Sequence, residues 1–462
     1  MSVLTELAEF LTSRNYDNIP QDVIQIVRGH MLDSIGCAVS SSEEPSIKIL
    51  ERFLRSQPDG EGDHTVIGSD RGTSLLSAAF INGSKADAQE MADINMAAGG
   101  HGGATIVPAA LAVAEETRCT GKELLAALAC GYEAMRVTVP AYPQSLGKAC
   151  HTAIINGTFG AAAATGKMYN FDNEDMINAL GNCAIAPIAP SEPCNEGGYV
   201  KDLYTGAAAR TGIFCALLAK EKFVGTPSLL DGKMGLFTEL QVVKPASGVT
   251  DGLGDKWIVR DTIIKPHACC RFTHSSADLL LDLNLDPDQV ESIDVTVATL
   301  SYNLCKGSSS KLEDSVAARF SIPYVVGCAM LFKRTLIPSD FTMEAIKNPK
   351  VYEISQKVHV HHNPDMDVDW PVPPAGKGHR SSVMDIIMKD GRKIHQRVDN
   401  PKGSAENPCT WQEILNKFCL LTNGYYTPER QQQIIHAVED LEKIGDCRGF
   451  VRLLRRDNYI GI

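Results

Sequence analysis

Residues 292–300 read Ser292-Ile-Asp-Val-Thr-Val-Ala-Thr-Leu300, with apolar and polar side chains taking turns. Alternation puts successive side chains on opposite faces, so this stretch predicts a half-buried β-strand. The sequence upstream has a different period. Segments 20–40, 72–90, 104–117, 121–136, 151–168 and 173–186 repeat apolar residues every three or four positions and are separated by Gly, Pro or Asn. That spacing predicts successive helices. Thr120-Gly-Lys-Glu123 forms a capping-box pattern ahead of Leu124, Leu125 and Leu128. Asp172-Asn-Glu-Asp175 similarly opens the helix carrying Met176, Ile177 and Leu180. Residues 205–219, TGAAARTGIFCALLA, are apolar on nearly every side, which predicts a buried helix.

Downstream, residues 357–361 form a second strand candidate, and residues 383–388 and 393–398 flank Asp390-Gly391, a hairpin signal. Helical spacing occurs at 277–283 and 324–332, and resumes from Thr410 through 431–441 and 447–454. The expected fold is therefore mainly α. A large all-helical domain, residues 1–255 and 400–462, is interrupted by a smaller α+β lid domain, residues 256–399. The shift in composition near residue 245 also fits three consecutive domains. No internal repeat or low-complexity tract occurs.

A chain of 462 residues is long enough for two or three cores. Its net charge of −12 and lack of a basic run argue against nucleic acid. An anionic substrate would need a few cations gathered in a pocket. The N-terminus has no basic stretch followed by an apolar core, and no segment has the ~18–20 apolar residues of a membrane span. Fourteen Cys with no secretory signal and no C-x-x-C pair predict reduced thiols and a cytoplasmic setting.

Four segments concentrate chemistry. Residues 82–105 run from Asn82-Gly83 through Glu90 and Asp93 into a Gly-rich loop containing His101, with Pro108 expected to start the next helix. The backbone N–H groups at that start would suit an anion, and Glu90, Asp93 and His101 an acid/base set. The simpler reading is an interhelical turn with solvated acids. In Lys148-Ala-Cys-His151, the His stands at the mouth of an Ala/Gly helix, where its neutral form is favoured. Lys201 follows the double glycine 197–198 and precedes the buried helix. Finally, Lys265-Pro-His-Ala-Cys-Cys270-Arg271-Phe-Thr-His274 packs cations, His and thiols together. Its spacing lacks a C-x-x-C or H-x₃-H pair, and Arg271 would oppose a dication, so no metal is expected. His359, His361 and His362 have no fourth ligand nearby and read as exposed strand residues. No G-x-S-x-G elbow, P-loop, H-E-x-x-H or dinucleotide-binding turn is present.

Taken in order, these segments resemble the MmgE/PrpD family. The resemblance also rests on Met31-Leu-Asp-Ser-Ile-Gly-Cys37, Val107-Pro-Ala-Ala-Leu111, residues 225–237, Arg319-Phe-Ser-Ile-Pro-Tyr324 and residues 403–418. It implies a large helical domain plus a lid, a homodimer, and a pocket needing no metal or organic cofactor. Carried over by position, the acid opening the family's D-F-D-D-T motif falls on Glu90, the loop histidine on His101 and the helix-mouth histidine on His151. Pocket lysines fall on Lys201 and Lys265, and a tyrosine ending the first lid strand on Tyr302. This chain has Glu90-Met-Ala-Asp-Ile in place of D-F-D-D-T, and Cys270 where the decarboxylase has His.

The implied chemistry is proton abstraction alpha to a carboxylate of a di- or tricarboxylic acid. His151 or Glu90 would be the base, with His101 and Tyr302 as acids. Asp93, Lys201, Lys265, Cys270 and Arg271 would line the substrate. A 2-methylcitrate dehydratase-like hydro-lyase ranks first, ahead of an iminodisuccinate epimerase-like isomerase and a cis-aconitate decarboxylase-like enzyme. A catalytically inactive helical scaffold is the reading from another class.

Overall fold

The computed structural model describes residues 1–58, 60–142, 150–193, 198–281, 283–307, 312, 314–367 and 381–456. Among the described residues, nine helices dominate the first half: α1 (Val3–Ser13), α2 (Gln21–Ser40), α3 (Pro45–Arg55), α4 (Leu75–Asp87), α5 (Gly102–Thr117), α6 (Gly121–Ala134), α7 (Ala153–Met168), α8 (Asn173–Asn182) and α9 (Tyr204–Lys220). The caps form as their sequences predict. Thr120 and Glu123 bond reciprocally at the start of α6, and Asp172 accepts from the Asp175 N–H at α8.

Small side chains let these helices lie close together. A Cβ on Gly206 of α9 would sit 2.2 Å from the Phe80 carbonyl oxygen of α4, so only glycine permits this crossing. The crossing has a functional consequence. It fixes the end of α4, at Asp87, against the turn Val200–Leu203 that leads into α9.

Pro108 departs from expectation, because α5 begins at Gly102 and carries the proline inside it. Proline removes only the bond from position 108 to the carbonyl of Ala104, so the helix continues on either side. The first turn of α5 is consequently formed by Gly102 and Gly103, right beside His101.

The second half contains helices α10 (His274–Leu281), α11 (Thr299–Cys305), α12 (Ile322–Phe332) and α13 (Pro349–Ser355). They surround a four-stranded sheet of β3 (Val290–Val297), β4 (Val358–His362), β5 (Ser382–Met388) and β6 (Lys393–Val398), in the order β4-β3-β5-β6. A separate pair joins the two halves: β1 (Ile94–Asn95) runs antiparallel to β2 (Thr262–Ile263). β3 pairs parallel with β4 and antiparallel with β5, and β5–β6 is the hairpin predicted at Asp390-Gly391, with Gly391 at φ +85°. The alternation in β3 is realised, since Val290, Ile293, Val295 and Val297 are buried.

β3 ends at Val297, not at Leu300. Asp367 Oδ1 accepts from the Thr299 N–H at 2.8 Å and caps α11 in place of further strand. Tyr302 therefore sits within α11, five residues past the strand, and does not end it. The fold class read from sequence holds: the chain is mainly α with a small sheet-bearing region.

The last helices, α14 (Trp411–Thr422), α15 (Pro428–Glu439) and α16 (Arg448–Leu453), return to the first half. Ile414 and Phe418 of α14 lie over Gly29 and Gly36 of α2, and Ile434, Val438 and Phe450 share one buried cluster with Val27, Ile35 and Leu111. A second cluster surrounds the sheet. None of the described helices is long and apolar enough to cross a membrane.

Candidate active site

α4 stops at Asp87, and the chain turns back through Glu90, whose backbone is left-handed at φ +56°. A non-glycine residue in that region carries strain that its surroundings have to maintain. Those surroundings are ionic. Lys201 Nζ lies 2.9 Å from Asp87 Oδ2 and also pairs with Glu90 Oε1, while Lys265 Nζ lies 3.2 Å from Glu90 Oε2. All four side chains are buried. Burial works against ionisation of Asp87, but Lys201, His101 and Lys265 outweigh it and hold the carboxyl below its ordinary range. Burial lowers the Lys265 ammonium, with Asp87 opposing the shift.

Asp87 was not singled out from the sequence. Its signal was its spacing of three from Glu90, which would put two carboxylates on one side of a helix had the helix continued past Asp87.

His101 immediately precedes α5, and its Nδ1 lies 2.5 Å from the Asp93 carbonyl oxygen. A carbonyl can only accept, so Nδ1 carries the proton, and in the neutral ring Nε2 is left as the acceptor. The His151 ring stacks beside it at 5.5 Å between centroids, and Tyr204 lies 5.5 Å beyond His151. Burial, followed by the neighbouring His101, pushes His151 down to about 4, with Asp87 opposing, so its ring is neutral at ordinary pH. The structure thus brings Glu90, His101, His151, Lys201 and Lys265 into one electrostatically coupled group, joined by Asp87. Lys148 and Gly197 lie outside the described residues.

The other expected residues have different surroundings. The Asp93 carboxylate accepts from the Gly103 N–H at 2.8 Å and the Tyr132 hydroxyl at 2.6 Å, and lies 2.9 Å from His30 Nδ1. Burial opposes its charge, but these partners prevail and lower its carboxyl. The anion at the start of α5 is therefore the protein's own.

Arg271, expected to hold a substrate carboxylate, is already engaged. It donates to the carbonyls of Lys402 and Pro401 and to Ser404 Oγ, tying its turn to the chain's return. The Tyr302 ring lies 5.1 Å from His362, and Lys306 Nζ sits 5.2 Å over it. Cys270 hydrogen-bonds with Cys305 of the same α11, which lowers its thiol against the opposing effect of burial. His267 and His274 use their ring nitrogens within the fold: His267 contacts Asp278 and Leu336 N–H, and His274 contacts Arg271 and the Cys269 carbonyl. His359, His361 and His362 are exposed on β4.

Apart from Lys265, the residues of this lysine–carboxylate–histidine cluster fall within the first of two family domains. Residues 5–245 match the MmgE/PrpD N-terminal domain and residues 267–443 the MmgE/PrpD C-terminal domain. The chain belongs to the MmgE/PrpD family. It is 27% identical to the cis-aconitate decarboxylase-like protein oryM of Aspergillus oryzae, covering 98% of this chain and 97% of that one. It is 25% identical to the cis-aconitate decarboxylase of Aspergillus terreus (98% and 96% covered), and 23% identical to that of Homo sapiens (98% and 95%).

Proposed function

We propose that this chain is a cofactor-independent polycarboxylate lyase that removes a proton alpha to a carboxylate, with elimination of water as its leading reaction. The observation that best supports this is the contact of His101 Nδ1 with the Asp93 carbonyl, which leaves Nε2 as the acceptor in a ring that acts on Asp87 together with two buried lysines. His101 then replaces His151 and Glu90 as the leading base. In the elimination, the electron pair of the C–H bond first passes to the neighbouring carboxylate as an enolate and then forms the carbon–carbon double bond as the C–O bond breaks. The proton goes to His101 Nε2, and the hydroxyl leaves as water with a proton from Lys265, whose ammonium burial makes more acidic. Lys201 stabilises the charge developing on the carboxylate as the enolate forms.

Decarboxylation is the second reading, favoured by the names of the relatives that match this chain along nearly its whole length. That reaction calls for a proton donor at carbon after CO₂ departs and gives a free base no forward task. A panel of 2-methylcitrate, citrate, cis-aconitate and iminodisuccinate, followed by proton NMR in D₂O, separates the readings. Loss of the hydroxyl with a new vinyl proton from citrate, or with the methyl doublet of 2-methylcitrate collapsing to a singlet, supports the lyase as proposed. Release of CO₂ from cis-aconitate moves the assignment to decarboxylation, and exchange at carbon without net product moves it to epimerisation. No reaction and no rise in melting temperature with any polycarboxylate would favour the inactive scaffold. The same preparation tests the proposed homodimer by sedimentation.

A further inference from the structure

We infer that His30 is a positioning residue for His101, acting through the carboxylate of Asp93. The segment from Asp93 to Gly103 closes on itself. The Asp93 carbonyl takes the proton of His101 Nδ1, while its side chain reaches the first turn of α5 and accepts from Gly103 N–H. Anchoring the Asp93 side chain to the first turn of α5 holds the backbone at residue 93 in place, and with it the carbonyl that meets His101 Nδ1 and leaves Nε2 bare.

Two side chains from outside the segment hold the carboxylate, both at Oδ2: the Tyr132 hydroxyl from α6 at 2.6 Å and His30 Nδ1 from α2 at 2.9 Å. A carboxylate offers only lone pairs, so the approach of His30 Nδ1 to 2.9 Å calls for a proton on that nitrogen, although its N–H is not aligned for a hydrogen bond with Oδ2. Glycines make the approach possible. A Cβ at Gly102 would lie 2.2 Å from Tyr132 Cε1, and one at Gly103 would lie 3.0 Å from Asp93 Cγ.

His30 is itself held in place. Its ring lies 5.5 Å from that of Tyr132. The titratable groups around it are Asp93, Tyr132 and Asp33, the last on the same helix. Asp33 pairs at 2.6 Å with Lys417 of α14, and Lys417 also donates to the Met91 carbonyl at 3.0 Å. The returning chain thus supports the segment from behind. His30 orients the group that meets substrate and belongs with partners that lock an imidazole in one tautomer. The inference rests on the proposed function only in taking His101 as the base.

The test compares His30→Ala with His30→Asn in the full chain. An Asn amide nitrogen falls near the place of His Nδ1 and keeps a donor for Asp93. Nitrogen-15 NMR of the histidine rings reads the tautomer of His101, and steady-state kinetics reads its use. His30→Ala should mix the two tautomers, lower kcat about 10- to 100-fold with little change in KM, and move the acidic limb of the kcat/KM profile. His30→Asn should retain the wild-type tautomer and recover most of the rate. A single Nδ1–H tautomer of His101 in a folded His30→Ala variant would overturn the inference, as would an Asn variant no better than Ala. Mixed tautomers with an unchanged rate would uphold the positioning role and remove His101 as the base.

Discussion

Lys201→Met is the substitution whose consequence the structure defines most fully. Lys201 is 2% exposed and Asp87 fully buried, so solvent does little to screen the pair. Among the described residues, Asp87 Oδ1 has no hydrogen-bond partner, and Lys201 is the donor at Oδ2. Glu90 keeps Lys265, whereas Asp87 is stranded. Removing one partner of a buried ion pair costs about 3–5 kcal/mol. With an unfolding entropy of roughly 2.1 cal/mol/K per residue, the loss across 462 residues is a fall of about 3–5 °C in Tm. The sign with pH follows from the lowered Asp87 carboxyl. A depressed carboxyl contributes stability that is present above its unfolded value and lost as pH falls through its folded one. Without Lys201, burial dominates and Asp87 takes up a proton at higher pH, so the variant's deficit should shrink between pH 7 and pH 4. Urea denaturation followed by circular dichroism at several pH values measures this. Lys201→Met combined with Asp87→Leu should recover most of the loss, because no charge is then left unpaired. A deficit that grows as pH falls, or a double variant no more stable than the single one, would refute the reasoning.

His101→Ala should lower kcat by about 10²–10⁴, the usual effect of losing a general base. His151→Ala should have a smaller effect, and its removal should erase any titration in the kcat/KM profile near pH 4, where the wild-type ring gains its proton. A larger loss in His151→Ala than in His101→Ala would reverse the assignment of base. Dialysis against EDTA should leave activity and melting temperature unchanged. Stoichiometric zinc that leaves together with activity would show the cysteine–histidine segment to be a metal site.

How much was legible in the sequence depended on whether a residue's role was local. Helices α2 and α4 to α9 and the hairpin at Asp390-Gly391 were readable because periodicity, caps and turn residues are short-range signals, whereas α3 (Pro45–Arg55) was not among the segments read. Glu90, His101, His151, Lys201 and Lys265 were found through residue type and resemblance, and the structure gathers them. What escaped was pairing at long range. Asp87 meets Lys201 across 114 positions, and Lys417 meets the Met91 carbonyl across 326. No local spacing encodes such contacts. Arg271 was given the same task as the nearby pocket lysine, and its long-range bonds to the carbonyls of Lys402 and Pro401 were likewise invisible in the local sequence.

The self-pairing of the lysines also bears on how binding energy can be used. Both ammoniums already hold the Glu90 carboxylate. A substrate carboxylate that reaches them must share them with Glu90 or displace it, and exchanging one carboxylate for another adds little net Coulombic attraction. Ground-state binding from these contacts is correspondingly modest. Charge that appears on the substrate only as the proton leaves has no counterpart in the resting site, and the lysines can favour it without having favoured the ground state equally. Interactions of that kind raise kcat more than they lower KM. The left-handed backbone at Glu90 suits such an exchange, because a carboxylate held on a strained turn gains less from its lysines than one on a relaxed helix.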